Sequence, residues 1–474
     1  MQRREFGEMT VTDMPSKTAL SRSLNPLQLI LLILSSTTPM AAVVGLMPLS
    51  FAFGASTGVP LTFVIATIVL LFFSVGYTTI ARSIPGAGSF YAFIASGFGA
   101  SAGVGAALLA VLSYLMFYCG SLAYLGFFSA QLMTDSIGLE IPWPAFVAIW
   151  LVIIGWLGRR QIDLNSRVVG VIVLAEFAII MVLNAAIVWQ KGTVAFTPEA
   201  LNWHALDSQG AGISLMLAFT CYIGFEAAAL FSEETRNPER SVPLATYGAV
   251  LLIGGFFGLT SWLTIGAVGP AEIQHVAEVG LGQMYFDLAG QFVGTALAKL
   301  MEVCVVTSLF ATILAGHNVC SRYLFILGRD GVLPAKLAAV HPRFASPHRA
   351  SLVVSSIGVV VLAVCAAAGL DPIAEIGAPV IGCGTVGLIG LQALLCLAVI
   401  LYFVKTKRVQ WWRTMLAPFC AFAGLSVVLI LALAHFELIT GSENVWVTRL
   451  PIVLLVAFAA GLVLSRLQAH RPPH

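Results

Sequence analysis

The sequence predicts an all-α integral membrane protein with twelve transmembrane helices, and three observations carry that prediction. Twelve apolar stretches punctuate the chain, its 474 residues are 59% hydrophobic and only 10% charged, and its cations gather in alternate loops. A hydrocarbon core of about 30 Å takes roughly 20 apolar residues of helix. A chain this apolar cannot cover itself with polar groups in water, so its surroundings are lipid.

The spans fall at residues 27–51, 59–80, 101–130, 143–157, 168–189, 210–231, 244–268, 292–320, 352–368, 380–403, 415–434 and 450–464. With this numbering, all Lys and Arg residues except Lys191, Lys299 and Arg449 lie on one side. Positive charge concentrates on the cytoplasmic side of membrane proteins, so both termini are expected in the cytoplasm and the chain in the cytoplasmic membrane. The polar arm 1–25 shows no short apolar core with a cleavage site, so no signal peptide is expected. A net charge of +2 implies no nucleic acid partner. The eight cysteines show no CxxC spacing and lie mostly in apolar runs, as Cys304, Cys383 and Cys396 do, which reads as core packing rather than metal binding. No metal or cofactor is expected.

The chain divides into the arm 1–25, a ten-helix core 26–404, two additional spans within 405–465 and a tail 466–474. The core reads as two five-span halves, about 26–190 and 209–404. Five spans reverse direction when repeated, which makes the repeat inverted. The Gly-rich connection Ser83 to Gly99 follows the second span inside, and Gly269 to Gln291 follows the seventh outside, as that symmetry requires. The alternative is that both are ordinary loops.

Two spans carry interruptions. In the first, Ser35-Ser36-Thr37-Thr38-Pro39 breaks the apolar run before Met40 resumes it. Proline suits the first turn of a helix and Thr38 is a suitable N-cap. A half-helix starting at Pro39 would aim the N–H groups of Met40 and Ala41 at the membrane midplane, where an anion is stabilised. A plain proline kink, its freed carbonyls satisfied by hydroxyls, is the competing reading. In the sixth span, Thr220-Cys221-Tyr222-Ile223-Gly224 makes a polar step at the matching place in the second half. Paired breaks point to a midplane binding site.

Tyr222-Ile223-Gly224-Phe225-Glu226, then Glu233-Glu234, Asn237-Pro238, Arg240 and Pro243, form one motif. Asn318 through Arg322-Tyr323-Leu324-Phe325 to Gly328-Arg329-Asp330-Gly331-Val332-Leu333-Pro334 form a second, and Pro85-Gly86-Ala87-Gly88-Ser89-Phe90-Tyr91 a third. With these the chain resembles the amino acid-polyamine-organocation family of permeases along nearly its whole length. The resemblance implies a LeuT-like core of two inverted five-helix repeats plus two extra helices, and transport of an amino acid or amine held at the two breaks. Carried over by position, the first break (Ser36, Thr37, Thr38, Pro39, Met40, Ala41) would meet the substrate carboxylate. Carbonyls around Phe219, Thr220 and Ile223, beside Gly224, would meet its ammonium. The family usually has a Gly-Ser-Gly type sequence at the first break, and Ser36-Thr37-Thr38-Pro39 departs from it. Some antiporters of the family place a gating tryptophan where Thr220 stands; Phe219 or Tyr222 are candidates to serve instead, with packing as the alternative. Tyr118 is a candidate pocket wall, or core.

Two acids lie in the membrane. Glu176 sits about nine residues past Arg167 in the fifth span. In proton-coupled relatives this region resembles a site where Lys replaces a bound sodium ion. A Glu there is a candidate for proton coupling, or a protonated acid bonded to a neighbouring helix, since intramembrane acids are functional candidates by default. Glu226 is a candidate proton relay, or a tie for exposed amides of the broken first helix. Thr307 and Ser308 would offer oxygens if sodium, the less favoured ion, drove transport; intrahelical capping competes. Arg236, Arg240, Arg322, Arg329 and Asp330 are candidates for an inner ion network, against plain solvated charges.

Gly382-Cys383-Gly384-Thr385-Val386-Gly387 spells a dinucleotide motif but has no preceding strand and no ribose-binding acid about 20 residues on. Close helix approach explains it better, as for Gly254 and Gly258. No enzyme is expected: of eight histidines only His317 and His435 fall near spans, on different helices, without HExxH or GxSxG. The expected function is secondary active transport by alternating access, driven by proton symport. The alternatives are an exchanger without ion coupling and a non-transporting sensor on the same fold.

Overall fold

A computed structural model of the protein describes residues 26–84, 90–159, 166–226, 235, 237–341, 346–439 and 445–469. Among them, nine helices are long and apolar enough to cross a membrane, and three shorter apolar helices occur. The shorter ones, Pro39–Ala52, Trp143–Arg159 and Ala211–Thr220, take the places of the expected first, fourth and sixth spans. Two of the three are short because a break interrupts the helix. The fourth reaches 17 residues before the described segment ends.

The first span is α1a (Pro26–Ser36) and α1b (Pro39–Ala52). It is followed by α2 (Val59–Ser83), α3 (Ala100–Ile137), α4 (Trp143–Arg159), α5 (Ser166–Lys191) and α6 (Ala211–Thr220). Then come α7 (Pro238–Val268), α8 (Thr295–Arg329), α9 (His348–Ala367), α10 (Pro372–Lys405), α11 (Trp411–Ala434) and α12 (Ile452–Ala469). Large apolar side chains such as Val152, Trp189, Val360 and Leu455 stand exposed on α4, α5, α9 and α12. In water such a surface would drive association; in a bilayer it is the lipid face.

Packing repeats when every helix number is advanced by five. α1 packs on α7 as α6 packs on α2, and α1 on α5 as α6 on α10. Likewise α3 lies against α10 as α8 lies against α5, and α4 against α8 as α9 against α3. The two long connections obey the same rule, because each contains helix. Phe90–Phe98 packs on α3 and α10, and Met284–Phe292 packs on α8 and α5. They sit at opposite ends of α10. Lys405 Nζ, at its last turn, donates to the Gly97 carbonyl at 2.5 Å, whereas Ile373 near its start approaches Gly282.

The Gly-rich stretch of α10 acts through contact distance. A Cβ added at Gly384 would lie 2.7 Å from the Ser113 carbonyl oxygen on α3, and one at Gly387 would lie 2.1 Å from Ser113 Oγ. The helices touch there as only glycine permits. Gly254 likewise admits Thr67 and the Tyr222 hydroxyl, while Gly258 has ordinary clearance.

Candidate functional site

α1a ends with the Thr37 hydroxyl and amide both bonded back to the Leu34 carbonyl, at 2.8 and 3.1 Å. Thr38 then turns through φ 40°, ψ 71°, a left-handed conformation costly for a β-branched residue. Pro39 restarts the helix. The expected N-cap bond is absent: Thr38 stands at the cap position but its side chain makes no capping hydrogen bond. Capping comes from another helix instead. Glu176 of α5 accepts the Met40 amide on Oε2 at 3.3 Å, and Ser308 Oγ of α8 donates to the same oxygen at 2.8 Å. Of the two amides expected to face an anion, Met40 is thus taken by the protein's own carboxylate.

At the second break, α6 closes at Thr220 in short turns. The Tyr222 amide donates to the Phe219 carbonyl and the Ile223 amide to the Thr220 carbonyl, at 3.0 and 3.1 Å. Both carbonyls therefore already accept from the chain's own amides. Gly224 follows with φ 104°, a conformation that favours glycine. Glu226 folds back on this turn. Its Oε2 accepts the Gly224 amide at 3.0 Å, its Oε1 accepts the Tyr114 hydroxyl at 2.8 Å, and its backbone carbonyl accepts the Tyr77 hydroxyl at 2.5 Å. The expectation that Glu226 ties amides of the first helix is therefore corrected: it ties the sixth, and Glu176 ties the first.

Between the breaks lies a small, half-open cavity. Thr37, Thr38, Ala41, Ala42 and Leu46 line it from α1, and Thr220 and Cys221 from α6. From α3 come Phe117, Ser121 and Tyr124; α8 adds Leu309 and Thr312, and α10 adds Ile381. Thr220 Oγ1 lies 2.8 Å from Thr385 Oγ1 of α10, which fastens this wall.

Several candidates fall elsewhere. Tyr118 is buried, but its ring lies 5.7 Å from that of His317 and against Gly358 of α9, away from the cavity. Successive helical residues differ by about 100°, so Phe117, Ser121 and Tyr124, spaced i, i+4, i+7, form the cavity face and Tyr118 does not. Tyr222 turns its hydroxyl to Thr67 on α2 at 2.7 Å, and Phe219 is buried outside the lining. Thr307 is exposed and donates to the Cys304 carbonyl at 3.0 Å, so Ser308 alone of that pair meets Glu176. Ser36 ends α1a, its side chain outside the described residues. Glu233, Glu234, Arg236 and residues 85–89 also lie outside them. Among the described residues the expected inner ion network reduces to one exposed pair of neighbours, Arg329 and Asp330 at 3.6 Å.

Tyr114, Tyr77, Phe117, Ser121, Tyr124, Leu309, Thr312 and Ile381 were not legible as site residues. One had a usable signal: Thr312 follows Ser308 by four residues and so shares its helix face.

The model of the family described as amino acid permease matches residues 24–458. Over 320 residues the chain is 24% identical to the branched-chain amino acid permease of Bacillus subtilis, covering 63% of this chain and 65% of that one. The Lactococcus lactis branched-chain amino acid permease is 26% identical over 312 residues (61% and 64%), and the methylthioribose transporter of Bacillus subtilis 27% over 206 residues (43% and 42%). The matched segments thus span less than two thirds of these relatives. The family match covers nearly the whole chain and agrees with the helical, lipid-facing fold and its twin breaks: the chain belongs to the amino acid permease family.

Proposed function

We propose that the protein is a secondary transporter that carries an amino acid across the cytoplasmic membrane by alternating access, with both termini in the cytoplasm. The observation that carries this reading is the cavity between two broken helices, walled by α1, α3, α6, α8 and α10. Interrupted helices offer a solute free backbone groups at mid-membrane, which intact helices cannot. The names of the permease relatives support an amino acid as the solute. The exchanged packing supports two five-helix halves, 26–190 and 209–404, with α11 and α12 added outside them.

Proton symport is the drive we favour, with Glu176 in the coupling path. Its carboxylate links three helices by accepting from Met40 on α1b and Ser308 on α8. Ionised, it places negative charge at the start of α1b, where the helix dipole favours it. Protonation removes that charge and weakens both bonds, which frees α1b from α5 and α8. Solute and proton occupancy then bias the same element, the requirement for coupling.

The test is uptake into liposomes by the purified protein, with labelled amino acids and polyamines supplied under a proton gradient, then a sodium gradient, then with preloaded amines alone. Accumulation that needs the proton gradient and fails in Glu176→Gln, while that variant still exchanges substrate, is expected. Exchange that ignores every gradient would discard symport in favour of an exchanger. Binding without movement of any solute would replace transport by a sensor.

A further inference from the structure

Lys405, Lys407, Arg408 and Arg413 stand exposed at the corner between α10 and α11. No Asp or Glu occurs between Glu375 and Glu437, so the one acid of these two helices is Glu375, at the far end of α10. The neighbours offer no counter-charge either. The corner packs on α2 and on the helix Phe90–Phe98, and the sequence has no acid between Asp13 and Asp135. Elsewhere Arg329 has Asp330 beside it and Arg82 donates to the Glu239 carbonyl. Among the described residues, Lys407, Arg408 and Arg413 belong to no ion pair.

The corner is fastened at both ends. The Lys407 and Arg408 amides bond back to the Val404 and Phe403 carbonyls at 3.2 and 3.1 Å, with Lys407 left-handed at φ 54°. Further on, the buried Thr414 hydroxyl accepts the Gln410 amide at 2.9 Å, and the Thr414 amide donates to the Gln410 carbonyl at 2.8 Å. Cations presented on a fixed backbone lose less freedom when they meet an anion. Trp411 and Trp412 stand among them, 72% and 51% exposed, and the Trp412 ring meets Phe72 of α2 edge-on at 6.2 Å. Tryptophan, apolar in body and polar at its N–H, suits the headgroup level of a bilayer. Further along α11, Phe419 and Ile430 are also exposed, and eleven residues of helix bring them to nearly one stripe. Cations, tryptophans and apolar stripe follow one another in the order of phosphate, glycerol and acyl chain in a phospholipid.

We propose that the α10–α11 corner binds an anionic phospholipid, its phosphate and negative head group held by Lys407, Arg408 and Arg413 and its glycerol region lying against Trp411 and Trp412. An acyl chain follows the exposed stripe of α11. A zwitterionic lipid brings its own ammonium to a surface that has no acid to receive it, whereas an anionic one brings only the charge that the corner lacks. Attraction of about 1 kcal/mol for each cation near an anionic membrane surface corresponds to about fivefold in affinity. None of these residues lines the cavity between the broken helices, so the site is separate from it. The inference goes beyond the transport reading and holds whatever solute is carried.

The experiment is quenching of tryptophan fluorescence in the full-length protein, reconstituted into vesicles of phosphatidylcholine and phosphatidylglycerol with bromine on the acyl chains of one lipid or the other. Subtracting the signal of the double variant Trp411→Phe, Trp412→Phe isolates the two corner tryptophans. Brominated lipid in both leaflets makes the result independent of the side on which the corner lies, and no transport is measured, so the transport reading stands or falls separately. Brominated phosphatidylglycerol is expected to quench the corner at a lower mole fraction than brominated phosphatidylcholine. That preference is expected to fall about fivefold in Arg408→Gln and again in Arg413→Gln, and to survive Lys191→Gln, which removes a cation outside the corner. Equal quenching by the two lipids in wild type, or a preference unchanged in both glutamine variants, overturns the site. An equal fall in Lys191→Gln would reduce it to an effect of net charge and overturns it too. Corner tryptophans that neither lipid quenches would be covered by protein, either the arm 1–25 with Glu5, Glu8 and Asp13 or a second copy, which also overturns it.

Discussion

Glu176 and Met40 stand 136 residues apart in sequence and 3.3 Å apart from carboxylate oxygen to backbone amide. The restart of a broken helix is thus capped from a different helix, and the residue at the cap position, Thr38, leaves the task undone. A capping bond within one helix is static. One between helices would break if they separated, so this bond would report such a separation.

Ser308→Ala tests the second arm of that link. The buried carboxylate oxygen would keep Met40 and lose a donor at 2.8 Å, a loss of about 1.5–3 kcal/mol for a hydrogen bond to a charged group. Gradient-driven uptake is expected to fall about tenfold or more, with exchange less affected. Thr307→Ala, one position away and exposed, is the control and should transport normally.

Backbone strain at the first break predicts an inverted order of two small residues. At φ 40° an L side chain costs about 1–2 kcal/mol, which glycine avoids. Thr38→Gly should therefore be more stable than Thr38→Ala by about 1 kcal/mol, the reverse of the order at ordinary helix positions. Thermal unfolding of both variants in detergent decides it. Alanine equal to or better than glycine would show that the turn is not held as described.

Tyr114→Phe leaves Oε1 of the buried Glu226 without its donor. Destabilisation of about 1–3 kcal/mol is expected. Glu226→Gln should couple to it rather than add, because the two side chains share one contact. Additive melting shifts would mean that the pair does not interact in the working protein.

Gly377→Ala would drive a methyl group into the Tyr124 ring, which Gly45 blocks from retreating. Overpacking of this kind costs about 1–3 kcal/mol, and loss of substrate binding is expected with it. Gly390→Ala, in the same helix with nothing within 4 Å of the added carbon, should leave stability and uptake unchanged. Equal tolerance of both substitutions would disprove the close packing of the Tyr124 ring on Gly377.

The amino-acid sequence by itself determined the class of the fold, the approximate places of the spans, the two breaks and the presence of two acids, Glu176 and Glu226, within apolar segments. The reason is that these are one-dimensional properties: run length, proline and glycine inside a run, and an acid where lipid forbids one. It also carried the family, through local motifs such as Tyr222 to Glu226. Only the tertiary structure decided which way side chains face. Tyr118 was the expected wall residue of the third helix, and a rotation of a few residues separates its ring, packed on His317, from Tyr124, which lines the cavity. Partner choice was equally hidden, since nothing local pairs Glu176 with Met40 or Glu226 with Tyr114. Helix packing fixes azimuth and partner together, and both depend on contacts between segments more than a hundred residues apart.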